Sequence, residues 1–179
     1  MFISIEGVEG SGKSTLINAI KDYGQQHNID ICFTREPGGT EIAEVIRETL
    51  LNDYRETLHA HTELLLMFAS RVQHVHEVII PALNNGRWVV SDRFLDASYA
   101  YQGGGRQVDF SMIDNLSQTF IPDVALPNYV LLMDAPLDIC LQRVQNRGGL
   151  DRIEKESRDF FQRVYQAYQK RKFDEPNRF

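Results

Sequence analysis

The sequence predicts an α/β fold in which a central parallel sheet is flanked by helices on both faces. Two observations carry this prediction. Short apolar runs recur along the chain at Phe2–Ile5, Ile31–Thr34, Trp88–Ser91 and Tyr129–Met133, and segments of helical period separate them. Apolar runs of this length suit strands buried on both faces, and strand and helix taking turns is the pattern of a doubly covered sheet.

The elements follow in chain order. Phe2–Ile5 opens the sheet, because the N-terminal MFISIEG has neither the basic region nor the cleavage site of a signal peptide. Leu16, Ile17, Ile20 and Tyr23 then recur at helical spacing. Ile31–Thr34 forms the second strand, and Ile42, Val45, Ile46 and Leu50 mark the next helix. A long helical segment runs from about Glu63 to Leu83. Trp88–Ser91 is the third strand and Tyr129–Met133 the fourth. Helical patterns follow Pro136 and Glu154. Ligands of such sheets bind at the carboxyl ends of the strands, so the informative residues stand there.

Composition narrows the class of function. A chain of 179 residues with 42% hydrophobic content suits one compact domain, 1–179, with no repeat or linker. No stretch reaches the roughly 18 apolar residues of a membrane span. Cys32 and Cys140 form neither a disulfide framework nor a metal site, which points to a reducing cytoplasm. A net charge of −6 argues against a nucleic-acid binder. Arginines gathered in one cleft could still hold a phosphate substrate.

The most specific local signal is Gly7-Val8-Glu9-Gly10-Ser11-Gly12-Lys13-Ser14, with Thr15 after it. It is a complete G-x-x-x-x-G-K-[ST] pattern between a strand and an amphipathic helix. The glycines let backbone N–H groups close on phosphate oxygens, and the helix start adds positive partial charge. Lys13 can reach the β- and γ-phosphates and the Ser14 hydroxyl can ligate Mg2+, so the loop predicts Mg-ATP. A Gly-rich turn with a chance Lys-Ser is the plain alternative, and its context disfavours it.

No N-K-x-D guanine-reading motif occurs, which weakens a GTPase reading. The third strand ends in Asp92-Arg93. An acid there can hold magnesium or its water shell, and the following arginine can present a planar fork to a second phosphate. A surface ion pair is the alternative. His59, His61, His74 and His76 do not suggest a metal site, since residues two apart do not share a helix face.

The loop with its internal Glu9, Thr34-Arg35-Glu36-Pro37-Gly38-Gly39-Thr40, Asp92-Arg93-Phe94, Tyr101-Gln102-Gly103-Gly104-Gly105-Arg106 and Asp151-Arg152-Ile153-Glu154 resemble, in this order, the bacterial thymidylate kinases. The resemblance implies a three-layer P-loop kinase fold that phosphorylates dTMP to dTDP with ATP. It implies that Arg35, Glu36 and Pro37 close over the acceptor nucleotide and that Glu9 accepts from the sugar 3′-hydroxyl. Phe68, or Met67 one residue earlier, stacks on thymine, and Arg71 bonds the base edge. Tyr101 packs on the deoxyribose, and Ser98 or Gln102 meets the pyrimidine. A lid at about 143–154 supplies Arg143 to the adenine and Arg147 and Arg152 to the phosphoryl group in flight. The variable P-loop positions hold no arginine, which matches the proteobacterial form of the family and leaves the lid to provide that charge.

With Lys13 and Arg93, Arg147 and Arg152 are the expected catalytic set, and Ser14 and Asp92 the expected metal positions. A homodimer through the long apolar helix is also implied. Relatives continue past a segment like Pro176–Phe179 into one more strand, an adenine-contacting loop and a final helix. The chain is therefore expected to be a shortened form, with Tyr129–Met133 at a sheet edge. Another small-molecule kinase, or a P-loop ATPase coupled to a protein partner, is the rival reading.

Overall fold

The structure is a computed structural model describing residues 1–179. Four parallel strands form one sheet: β1 (Phe2–Glu6), β2 (Ile31–Arg35), β3 (Trp88–Asp92) and β4 (Tyr129–Leu132), in the spatial order β2-β3-β1-β4. Each expected strand is present to within one residue at its carboxyl end. The register sets Ile5 beside both Asp92 and Leu131, and Arg35 beside Asp92. The loops after β1, β2 and β3 therefore open at one edge of the sheet. There the strand order leaves room between neighbouring crossovers.

The helices are α1 (Lys13–Gln26), α2 (Glu41–Leu51), α3 (Ala60–His74), α4 (Ile80–Asn84), α5 (Leu95–Ser98), α6 (Phe110–Phe120), α7 (Leu137–Arg147) and α8 (Arg158–Asp174). The expected helix from Glu63 to Leu83 is the run from α3 into α4, with a π-helical turn at Val75–Ile79. Pro81 lacks an N–H and crowds the carbonyl four residues back, so a wider turn just before it accommodates the ring. A second π-helical stretch, Tyr99–Gly105, continues α5. No helix is long and apolar enough to cross a membrane.

The buried apolar side chains form two clusters. Phe2, Leu64, Phe68, Ile79, Val89 and Phe94 belong to one, while Val8, Tyr101, Cys140, Phe161 and Tyr168 belong to the other. The helical period of α2 identified its pattern but not its inward face. Ala43 and Leu50 are buried, whereas Ile42 and Val45 are 56% and 61% exposed. β4 is the sheet edge, and the N–H of Val130 donates to the carbonyl of Arg178 at 2.8 Å.

Candidate active site

The loop between β1 and α1 has the shape of an anion cradle. Gly12 stands at the helix N-cap with φ 104°, and no side chain caps the first turn of α1. The free N–H groups at that end are therefore available to phosphate. Gly10 has φ 77°, and a Cβ there would lie 2.3 Å from the carbonyl oxygen of Cys140 in α7. Only glycine lets this loop pass so close to the next element.

Lys13 is buried and donates through Nζ to the carbonyls of Gly7 and Val8, each at 3.0 Å. Burial and the nearby Arg93 charge lower its pKa to about 8, against the pull of Glu9, Asp92 and Glu6. Ser14 and Asp92 both line a cleft of ≈ 920 Å³ that also holds Glu9, Gly10, Gly12, Lys13 and Thr15. One carboxylate oxygen of Asp92 is buried and has no hydrogen-bond partner. A hydroxyl at the helix start facing an acid with a spare oxygen fits magnesium, which takes few protein ligands and keeps several waters.

Arg93 follows directly, in a left-handed backbone conformation with φ 71°. That turn brings its guanidinium back over β1. Nη1 donates to the Gly7 carbonyl at 2.8 Å and to the Tyr168 hydroxyl at 3.1 Å. Nη2 donates to Glu9 at 2.7 Å. Tyr101 donates its hydroxyl to the other Glu9 oxygen at 2.6 Å, and its ring lies 4.8 Å from the Arg93 guanidinium. Burial alone would raise the pKa of Glu9. The charges of Arg93 and Lys13 and the Tyr101 hydroxyl outweigh it and hold the carboxyl below the ordinary range. Glu9, Arg93 and Tyr101 are thus one preassembled unit at the mouth of the P-loop.

A second unit lies beyond β2. Arg71 is fully buried and donates to Glu36 at 2.7 Å, to the Ser98 hydroxyl at 3.0 Å and to the Phe94 carbonyl at 3.0 Å. A guanidinium has five N–H donors, so two are left over. His74 places Nδ1 3.0 Å from the other Glu36 oxygen and Nε2 2.6 Å from the Thr34 hydroxyl. A carboxylate only accepts, so Nδ1 carries the proton. This buried histidine orients Glu36 and, through it, Arg71. Gln102 is buried in the π-helical stretch and donates its amide to Glu63 at 2.9 Å.

Several expectations change here. Phe68 lies in the core and its ring carries the Arg71 guanidinium at 5.0 Å, so it backs the arginine; Phe68, Arg71, Ser98, Tyr101 and Gln102 are all buried behind the residues that line the cleft. Met67 is buried as well. The helical period put Phe68 and Arg71 on one face, as found, but that face meets Phe94 and the sheet. The Ser98 hydroxyl goes to Arg71. Pro37 holds Arg47 through its carbonyl, at 2.8 Å. Arg35 and Glu36 do line the cleft, with Arg35 paired to Glu44 at 2.9 Å.

The lid residues divide. Arg143 donates to the Gly10 carbonyl at 3.0 Å and stands on the cleft with Arg147, which pairs with Glu154. Arg152 does not line the cleft, contrary to expectation. It donates to the Leu50 carbonyl at 2.8 Å and to Glu63 at 2.7 Å. The carbonyls left without helical partners at the end of α2 and a buried carboxylate attract it more strongly than open solvent beside the phosphate site would.

Four residues escaped the sequence reading. Arg47 reaches the cleft from α2, and Glu63 collects Gln102, Arg106 and Arg152. Glu6, fully buried, accepts from the Phe94 N–H at 2.7 Å and the Tyr168 hydroxyl at 2.8 Å. Burial first, then Asp96, pushes its pKa up to about 7. Asp96, also buried, pairs with Arg171 and Arg178. None of these sits in a motif. A lone acid ending an apolar strand, as Glu6 does, is the one signal that was legible.

Comparison with known proteins agrees with this geometry. A family model described as "Thymidylate kinase" matches residues 5–179. The chain is 49% identical over 177 residues to a thymidylate kinase of Ruthia magnifica, spanning 99% of this chain and 86% of that protein. It is 46% identical to one of Nitrosomonas europaea, spanning 99% and 81%. The crystal structure of thymidylate kinase from Ehrlichia chaffeensis superposes with a TM-score of 0.80 at 30% identity, covering 99% of this chain and 89% of that one. A P-loop cleft whose arginine-bearing walls occur in a chain so broadly matched leaves one assignment: this protein belongs to the thymidylate kinase family.

Proposed function

We propose that this chain transfers the γ-phosphoryl group of ATP in line to the 5′-phosphate of dTMP, giving ADP and dTDP. The observation that carries the reading is the position of Arg93. It is bonded to the P-loop at Gly7 and Glu9 and stacked on Tyr101, so donor and acceptor sides share one guanidinium. A phosphate oxygen is already a competent nucleophile at neutral pH, so no general base is required. Positioning and charge neutralisation do the catalysis.

In this reading Lys13 leaves its carbonyl partners for the β- and γ-phosphates, and Arg93 bridges the two reacting phosphates. Arg147 is the lid arginine that meets the transferring group, and Arg143 lies against the adenine side. Arg35 and Arg47 hold the acceptor phosphate. Arg71 offers its two spare N–H groups to a base carbonyl, with Gln102 beside the pyrimidine edge, Tyr101 against the deoxyribose and Phe68 supporting Arg71. Ser14 and Asp92 would hold Mg2+, which when bound neutralises phosphate charge. The chain acts as one domain, 1–179, with its lid at about 143–154, in the cytoplasm. Ile42, Val45 and Leu65 expose apolar side chains on two helices that pack together, and a second copy would cover them as a homodimer.

A coupled assay of ADP release across dTMP, dUMP, UMP, CMP, AMP and GMP tests the reading. We expect the highest kcat/KM with dTMP and negligible release with ATP alone. Acceptor-independent release would favour an ATPase instead.

A further inference from the structure

Glu63, in the first turn of α3, is 1% exposed and belongs to no motif of the sequence. A buried carboxylate persists only when donors surround it. Three residues do so here. Gln102 gives its amide N–H to Oε1 at 2.9 Å, Arg106 reaches both oxygens at 3.2 Å, and Arg152 reaches Oε2 at 2.7 Å. Burial by itself would raise the pKa of Glu63, but Arg106 and these hydrogen bonds outweigh it, so the group is ionised. Two of the three donors come from the π-helical stretch and its end. The third comes from the lid, where Arg152 also fastens itself to the end of α2 through the Leu50 and Leu51 carbonyls.

The consequence lies in Gln102. A side-chain amide has a donating end and an accepting end, and nothing in its shape favours either orientation. An ionised carboxylate accepts only, so Glu63 compels Gln102 to turn its –NH2 inward. The amide oxygen is left buried, with no partner in the protein. A buried acceptor of this kind is satisfied by an N–H donor. The N3 position of thymine and uracil carries such a donor, whereas N3 of cytosine is an acceptor. We propose that Glu63 is a positioning residue for acceptor choice: it fixes the Gln102 amide so that imide bases are accepted and aminopyrimidines refused. Through Arg152 it ties this orientation to the docked lid. The proposal rests on the placement of Gln102 beside the pyrimidine edge.

Glu63→Gln tests it, because the new amide can offer Gln102 a donor and release it to turn over. We expect the ratio of kcat/KM for dTMP to that for dCMP to fall at least about tenfold, as one mismatched buried hydrogen bond is worth roughly that factor or more. The ratio for dTMP to dUMP stays unchanged, since both bases carry N3–H and Glu63 has no part in reading the methyl group. A packing defect alone would depress all three acceptors together, leave the dTMP to dCMP ratio intact, and so overturn the proposal.

Glu63→Asp supplies the second arm. It remains acceptor-only, so it keeps the dTMP to dCMP ratio within about threefold even where KM values rise. A folded Glu63→Asp enzyme that loses the ratio refutes the assignment, and this arm decides the matter if Glu63→Gln does not fold. The unmodified enzyme separates this inference from the reading beneath it. If it shows no preference for dTMP over dCMP, the acceptor assignment fails. If it shows the preference and Glu63→Gln retains it, only the role of Glu63 fails.

Discussion

Arg93 donates to Glu9 at 2.7 Å and so joins the end of β3 to the phosphate loop by an ion pair across the mouth of the cleft. Glu9 fixes one side of the guanidinium, and the Tyr101 ring at 4.8 Å fixes its face. Arg93→Ala should lower kcat about 10²–10³-fold and raise the KM for dTMP, because charge stabilisation and acceptor positioning are lost together. Glu9→Gln keeps the shape but loosens the pair and should cost about tenfold in kcat/KM for dTMP. Steady-state kinetics with each substrate varied check both. Unaltered dTMP kinetics in Arg93→Ala would remove its acceptor role.

Lys13 gives a pH signature. With a pKa of about 8 in the ligand-free protein, its charge is lost as pH rises past that value. ATP phosphates facing the ammonium favour the charged form, so the bound enzyme titrates higher. The profile of kcat/KM for ATP should therefore fall above about pH 8 while kcat remains level to higher pH. Coincident declines of both parameters would mean that the phosphates do not face Lys13.

Arg147 is held by Glu154 at the cleft edge. Arg147→Ala should lower kcat about 10²-fold or more with a much smaller change in ATP affinity, since the charge it meets develops during transfer. Glu154→Gln, which releases the arginine, should leave ATP affinity intact and alter kcat alone. Stopped-flow ATP binding beside turnover measurements separates the two effects.

Glu6 links stability to pH. Its pKa is near 7 in the folded chain and near 4.5 when unfolded, so the folded state binds the extra proton between these values. Its contribution is fully present below about pH 4.5 and is lost as pH rises through about 7, on the order of 3 kcal/mol in all. Glu6→Gln mimics the protonated acid and should raise Tm at pH 8 relative to the parent, with the difference vanishing near pH 4.5. Thermal melts of both proteins across this range decide the sign, and equal Tm values at pH 8 would contradict it.

The sheet and the phosphate loop were legible because their signals are local. An apolar run is a strand whatever follows it, and the P-loop needs only eight consecutive residues. The residues proposed for the acceptor side, and the buried network behind them, were harder to read. Arg71 and Ser98 were singled out, but their partnership spans 27 residues, and the bond from Tyr168 to Glu6 spans 162. Phe68 shows the limit of periodicity, which placed it beside Arg71 without saying whether that face meets ligand or core. Arg152 shows the limit of composition, since an arginine in a mobile-looking segment gives no sign that a buried carboxylate waits for it. Glu63 and Arg47 carry no local mark, and only the packed chain brings them to the site.

The central claim is direct transfer between two bound nucleotides, and the destination of the label from γ-³²P-ATP tests it most directly. In the presence of dTMP, the account predicts that the label appears in dTDP in a one-to-one ratio with ADP, and that both fall together in Arg93→Ala. Label recovered as inorganic phosphate, at a rate indifferent to dTMP, would contradict it.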